Sequence, residues 1–126
     1  MDISQSLNKK IIDIVGKDFV FADKQDMVVY ESDGTHDKGM PDFVVLPRTT
    51  EEVAKLVLLA NEFELPIIAR GSGTGLSGGA VPVHGGLVIS LNRMNTILDI
   101  DVDSSTATVE AGVINLEISN KASEYG

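Results

Sequence analysis

Pro66-Ile67-Ile68-Ala69-Arg70-Gly71-Ser72-Gly73-Thr74-Gly75-Leu76-Ser77-Gly78-Gly79 runs from a short apolar segment into a stretch with five glycines in the nine positions 71–79. Glycine has no Cβ and reaches φ > 0 without steric cost, so successive backbone N–H groups can converge there on an anion at close range. The distribution of charge agrees. Residues 65–98 contain no Asp or Glu, although the chain carries 19 among its 126 residues, and Arg70 and Arg93 are the only formal charges in that window. A segment kept free of carboxylates, rich in glycine and interleaved with Ser and Thr suits a phosphate-bearing ligand better than a plain turn.

Upstream of the glycines, Phe43-Val44-Val45-Leu46 is a continuous apolar run between Pro41 and Pro47, as expected of a strand buried on both faces. Thr49-Thr50-Glu51-Glu52 then reads as a capping box, with Val53, Leu56, Val57, Ala60 and Phe63 at helical spacing and Pro66 closing the helix. Residues 67–69 are expected to form a second buried strand, which completes a βαβ unit with the glycine segment leaving its second strand. Downstream the pattern changes to short strands at residues 87–91, 97–100 and 106–110, separated by turn-like residues 92–95 and 101–105. Asn115 is expected to cap a terminal helix carrying Leu116, Ile118 and Ala122, with Gly126 just past its end. At the other end, Ile3, Leu7, Ile11, Ile14 and Val15 predict an amphipathic helix over about residues 4–16 that stops near Gly16. A short second helix is expected at residues 24–30, and residues 31–39 form a polar loop. The class is α+β: a βαβ unit followed by short strands and a terminal helix.

Two common phosphate motifs fail on context. Gly73-Thr74-Gly75-Leu76-Ser77-Gly78 is a literal G-x-G-x-x-G, but a dinucleotide site of that kind needs a helix to start inside the motif, whereas Pro82 and Gly85-Gly86 follow and lead into a strand. A Walker A loop would end in Gly-Lys-Ser/Thr, which is absent. Other readings are bland. His36 and His84 are expected to be loop residues, and Asp99, Asp101 and Asp103 to be a solvated strand edge and turn rather than a metal cluster.

Composition narrows the function classes. Ten Lys and Arg against 19 Asp and Glu give a net charge of −9, so a nucleic-acid partner is not expected. The chain has no Cys, which excludes disulfides, thiolate metal sites and cysteinyl cofactor attachment. No stretch approaches the length of a transmembrane span and the N-terminus lacks signal-peptide organisation, so a cytoplasmic protein is expected.

Four ordered blocks carry a family resemblance: Pro41-Asp42-Phe43-Val44-Val45-Leu46-Pro47-Arg48-Thr49-Thr50-Glu51-Glu52-Val53, the glycine segment, Leu87-Val88-Ile89-Ser90-Leu91-Asn92-Arg93-Met94-Asn95, and Val109-Glu110-Ala111-Gly112-Val113. Together they resemble the FAD-binding (PCMH-type) domain of vanillyl-alcohol-oxidase-type FAD-linked oxidases, closest to the branch of the glycolate oxidase D subunit and D-lactate dehydrogenase. The resemblance is strong over residues 41–126 and loose over the first 40. It implies an N-terminal helical segment and loop in residues 1–40, and in residues 41–126 the first, incomplete part of an FAD-binding domain.

By that resemblance, Arg70, Gly71, Ser72, Gly73, Thr74, Gly75, Leu76, Ser77, Gly78 and Gly79 wrap the FAD pyrophosphate, with the Thr74 and Ser77 hydroxyls donating to phosphate oxygens. Pro47 shapes the pocket beside them, and Gly112 lets backbone approach the cofactor or turn sharply. Arg93 is expected either to offset phosphate charge or to be an exposed turn arginine. Members with covalent flavin in this region use a histidine in the glycine loop, where this chain has Thr74, so noncovalent FAD is expected. Similar proteins are several times longer and keep their catalytic residues and substrate cap beyond the matching segment. The chain is therefore expected to be the FAD-binding portion of an enzyme that oxidises a small-molecule 2-hydroxy acid, to hold no catalytic residue or metal ligand, and to leave the strands at 87–91 and 106–109 without onward neighbours. Self-association or partner subunits follow from such open edges. The alternatives are a non-catalytic nucleotide-binding module and an FAD-dependent reductase of the same fold.

Overall fold

The computed structural model describes residues 3–28, 39–72, 79 and 85–126. Helix α1 spans Ile3–Val15 and buries Leu7, Ile11 and Val15, the stripe set by its periodicity. It stops at Gly16, whose φ of 90° an L side chain would resist. A 3-10 turn at Lys17–Phe19 leads into β1 (Val20–Phe21), and α2 follows as one turn at Lys24–Met27. Residues 29 and 30 of the second helix expected to residue 30, and the polar loop at 31–38, lie outside the described residues.

Strand β2 (Phe43–Val45) is buried throughout. Helix α3 (Thr50–Glu62) starts as the capping box requires: Glu52 N donates to Thr49 Oγ1 at 3.1 Å. The reciprocal bond is displaced by one residue, with Glu52 Oε2 accepting from Arg48 N at 2.7 Å rather than from the cap residue itself. At the other end Leu65 N donates to Ala60 O and Glu64 N to Asn61 O, a Schellman closure in which Glu64, at φ 53°, takes the position usually given to glycine.

Strands β3 (Ile67–Arg70) and β4 (Leu87–Ser90) complete a four-stranded mixed sheet of order β1-β2-β4-β3, in which β2, β4 and β3 are parallel and β1 runs antiparallel. The βαβ strands are thus not neighbours; β4 inserts between them. Two expectations change as a result. The strand at 67–69 is not buried on both faces: as the outer strand β3 leaves Ile67 and Ala69 exposed. The strand at 87–91 is not an open edge either, because β4 is central and pairs on both sides.

The core lies on the two faces of this sheet. On one, Phe43, Val45, Leu87 and Ile89 pack with Leu7, Ile11 and Val15 of α1 and with Leu56, Leu59 and Ala60 of α3; on the other, Val44 and Val88 pack with Met27. Beyond the sheet, β5 (Ile97–Asp101) and β6 (Thr106–Val109) form a separate antiparallel hairpin with a bulge at Leu98. Helix α4 (Asn115–Ala122) and a 3-10 turn at Ser123–Tyr125 follow, with no buried residue in either. The cap of α4 is Ile114, not the expected Asn115, which is the first helical residue. Among the described residues no helix is long and apolar enough to cross a membrane.

Candidate functional site

The carboxyl ends of β2, β3 and β4 come together, and each continues into a segment that the sequence singled out. In open parallel sheets this rim is where ligands bind, because the strands end there and the connections diverge. After β2 comes Pro47, fully buried. Arg70 ends β3 with only 8% of its surface exposed, and its carbonyl accepts from Leu91 N at 2.9 Å, tying the end of β3 to the residue after β4. Gly71 and Ser72 follow on the surface, and Gly79 is exposed as well. Gly73, Thr74, Gly75, Leu76, Ser77 and Gly78 lie outside the described residues, as do His36 and His84.

The residues after β4 fold into a tight turn in which Met94 N donates to Leu91 O, and Gly112 N donates to Met94 O at 2.8 Å. Gly112 is pressed so closely onto this turn that a Cβ would overlap the Leu91 carbonyl. The close approach expected at Gly112 is therefore made to the chain itself. It brings Gly112 beside Ser72, and the two line one groove of about 430 Å³ with Asn92, Asn95, Ile114 and Glu117. A second, polar groove of about 520 Å³ shares Asn95 and is bounded by Arg48, Thr49, Arg93, Thr96 and Glu110. A cavity of about 320 Å³ between the β5–β6 hairpin and α4 shares no residue with either.

Arg93 is not the exposed turn arginine of the second reading given from the sequence. It is half-buried, its Nη1 donates to Leu46 O at 2.7 Å, and its guanidinium carbon lies 3.4 Å from the centre of the Phe19 ring. It clamps the turn after β4 to the end of β2 and to the 3-10 turn that precedes β1. Glycines at the two ends of the crossover differ in the same instructive way. Gly86 must be glycine, since its φ is 95° and a Cβ would strike the Pro66 carbonyl, while its N–H donates to Asp42 Oδ2 at 2.8 Å. At Gly71 and Gly79 a Cβ would meet nothing within 4 Å among the described residues and φ is not positive, so neither packing nor conformation demands glycine.

Sequence reasoning missed Ser90. Its side chain has no exposed surface, and its Oγ lacks a hydrogen-bond partner among the described residues. The only signal was a lone hydroxyl in an otherwise apolar strand. The acidic residues at 99, 101 and 103 are all exposed, and among the described residues no group of three or more His, Cys, Asp or Glu is placed to hold a metal. Asp101 instead organises the hairpin turn. Its Oδ1 accepts from Ser104 N at 3.2 Å and Asp103 N at 3.1 Å, and these bonds, those from Ser104 foremost, hold its carboxyl below the usual carboxylate range.

A profile of the FAD binding domain family matches residues 41–126. The chain belongs to that family. The chain is 38% identical to the glycolate oxidase subunit GlcD of Bacillus subtilis over 117 residues, covering 92% of this chain and 25% of that protein. It is 39% identical to D-lactate dehydrogenase of Anaerostipes hadrus over 100 residues, covering 75% of this chain and 21% of that one. A solved structure of p-cresol methylhydroxylase with substrate bound superposes with a TM-score of 0.83 at 25% identity, covering 96% of this chain and 24% of the other. The chain thus spans about a quarter or less of the length of the curated relatives it matches. Its fold is that of the PCMH-type FAD-binding domain, and its cofactor is FAD. The residues of the strand-end rim are compatible with a diphosphate: residues 65–98 carry no carboxylate, buried Arg70 stands at the root of the glycine segment, and among the described residues Ser90 Oγ has no hydrogen-bond partner.

Proposed function

We propose that this chain is the FAD-binding portion of a flavin-dependent oxidoreductase that oxidises a 2-hydroxy acid of the glycolate or D-lactate type. The observation that carries the reading is that an acid-free, glycine-rich segment leaves the carboxyl end of a parallel strand, in a chain whose relatives include a glycolate oxidase subunit and a D-lactate dehydrogenase.

Residues 70–79, namely Arg70, Gly71, Ser72, Gly73, Thr74, Gly75, Leu76, Ser77, Gly78 and Gly79, hold the pyrophosphate through backbone N–H groups, with the Thr74 and Ser77 hydroxyls and the Arg70 cation adding charge-assisted bonds. Pro47 fixes the end of β2 beside them. Gly112 seats the turn that forms one wall of the Ser72 groove. FAD, when bound, supplies the two-electron acceptor for oxidation of a hydroxyl-bearing carbon. No catalytic residue is assigned within this chain, and residues 1–40 serve as a helical segment flanking the domain. With no Cys, and Thr74 where a linking histidine would stand, the flavin is held noncovalently.

The test is a purified holoprotein. It should be yellow, release its flavin into the supernatant on acid precipitation, and be bleached anaerobically by glycolate or D-lactate. Colour retained in the precipitated polypeptide would refute noncovalent binding. Bleaching by a nicotinamide donor instead of a 2-hydroxy acid would replace the oxidase reading with a reductase of the same fold, and a flavin that no donor reduces would leave a binding module.

A further inference from the structure

Strand β4 is buried along its whole length, and its side chains alternate between the two faces of the sheet. Leu87 and Ile89 enter the cluster with α1 and α3, and Val88 enters the cluster with Val44 and Met27. Ser90 therefore faces the same side as Val88. On the neighbouring strand Ile68 packs against that second cluster, which places Arg70, two residues on, on the same side again. Arg70 and Ser90 are direct partners in the parallel register, and they are the only buried polar or charged residues in the described core. One is a cation at the root of the glycine segment. The other is a hydroxyl with no partner among the described residues.

A buried hydroxyl left unpaired costs its desolvation with nothing in return, and native proteins keep such groups where another state of the molecule satisfies them. Arginine has five N–H donors and no acceptor, whereas a serine oxygen accepts freely. Side chains at a paired register position on one face are close enough for that bond. We propose that Ser90 is a positioning residue for FAD that acts through Arg70: with the cofactor bound, Ser90 Oγ accepts a hydrogen bond from the Arg70 guanidinium and holds it aimed at the diphosphate. The hydroxyl is unpaired in the apoprotein and paired in the holoprotein. This rests on the reading of residues 70–79 as the pyrophosphate site.

Such coupling has a signature that a merely structural serine lacks. Replacing Ser90 with Ala removes an unsatisfied group from the apoprotein and an acceptor from the holoprotein, so the two states respond in opposite directions. Apo Ser90→Ala is expected to melt at or above the wild-type temperature, while its Kd for FAD, read by quenching of flavin fluorescence, rises about fivefold. Ser90→Cys, which keeps the volume but accepts weakly, falls between. Arg70→Gln weakens FAD binding too, and adding Ser90→Ala to it causes no further loss, because the serine acts only through that cation. A lower melting temperature for apo Ser90→Ala with unchanged Kd, or additive losses in the double variant, overturns the inference. Gly75→Val separates this from the site reading beneath it. If Gly75→Val loses FAD while Ser90→Ala does not, Ser90 is wrongly assigned and the site stands; if Gly75→Val binds FAD normally, the pyrophosphate site itself is misplaced and the inference falls with it.

Discussion

Gly112 and Asp101 show how single residues shape the rim, and each makes a measurable claim. Gly112 sits against the Leu91 carbonyl with its N–H on Met94 O, so the first carbon of any side chain has nowhere to go but into backbone. Gly112→Ala should therefore destabilise the protein by about 2–3 kcal/mol, as overpacking against a rigid neighbour does, and calorimetric unfolding checks it. A loss of FAD without a loss of stability would instead mean that Gly112 faces the cofactor rather than the turn. For Asp101 the sign follows from its hydrogen bonds. Donors from Ser104 and Asp103 favour the ionised form, so the folded pKa lies below the unfolded one. The stabilisation is present above the unfolded pKa and is lost as pH falls through the folded value. NMR titration should show Asp101 ionising below an ordinary aspartate, with the hairpin resonances shifting in step. Asp101→Asn should abolish that acid transition in the turn.

At the scale of elements, the sequence was most legible where local chemistry decides the outcome. Thr49 and Glu52 mark the start of α3 because a cap must satisfy N–H groups within one turn, and periodicity marks α1 because its buried stripe is contiguous in the pattern. Thr49→Ala should cost about 1 kcal/mol in thermal unfolding, the usual worth of a capping hydroxyl. Sheet order was not legible. Phe43-Val44-Val45 and Leu87-Val88-Ile89 are apolar at every position, so they lack the alternation that would say which neighbour lies where. The insertion of β4 between β2 and β3 is set by long-range pairing that no local signal carries. Candidate-site legibility divides along the same line. Glycine density and the missing carboxylates were visible along the chain, but the meeting of Ser72 with Gly112, the clamp of Arg93 on Phe19 and the pairing of Arg70 with Ser90 exist only once strands have come together.

Across the whole molecule, burial is distributed unevenly, and stability should follow it. The described buried hydrophobic residues belong almost entirely to α1, α2, α3, β2 and β4, with Met94 the one contribution from the turn that leads to β5. The β5–β6 hairpin and α4 bury none, and Leu98, Val102, Ile114, Leu116 and Tyr125 are all more than half exposed. This C-terminal part of the chain is tied to the turn after β4 by backbone bonding such as Gly112 N to Met94 O rather than by a buried apolar layer among the described residues. Regions with few buried contacts and solvent-facing hydrogen bonds open at a fraction of the global unfolding free energy. For this 126-residue chain, native-state hydrogen exchange should therefore resolve two units. Amides of β4, α1 and the middle of α3 should exchange only with global unfolding and show a full denaturant dependence. Amides of β5, β6 and α4 should exchange through a smaller opening, at lower free energy and with a shallow dependence, because little surface is newly exposed when they detach. Lowering the pH through the Asp101 transition should weaken the second unit. One common exchange free energy for both units would show that the hairpin and α4 are held as firmly as the core, and that the backbone tie at Gly112 does more than a single bond suggests.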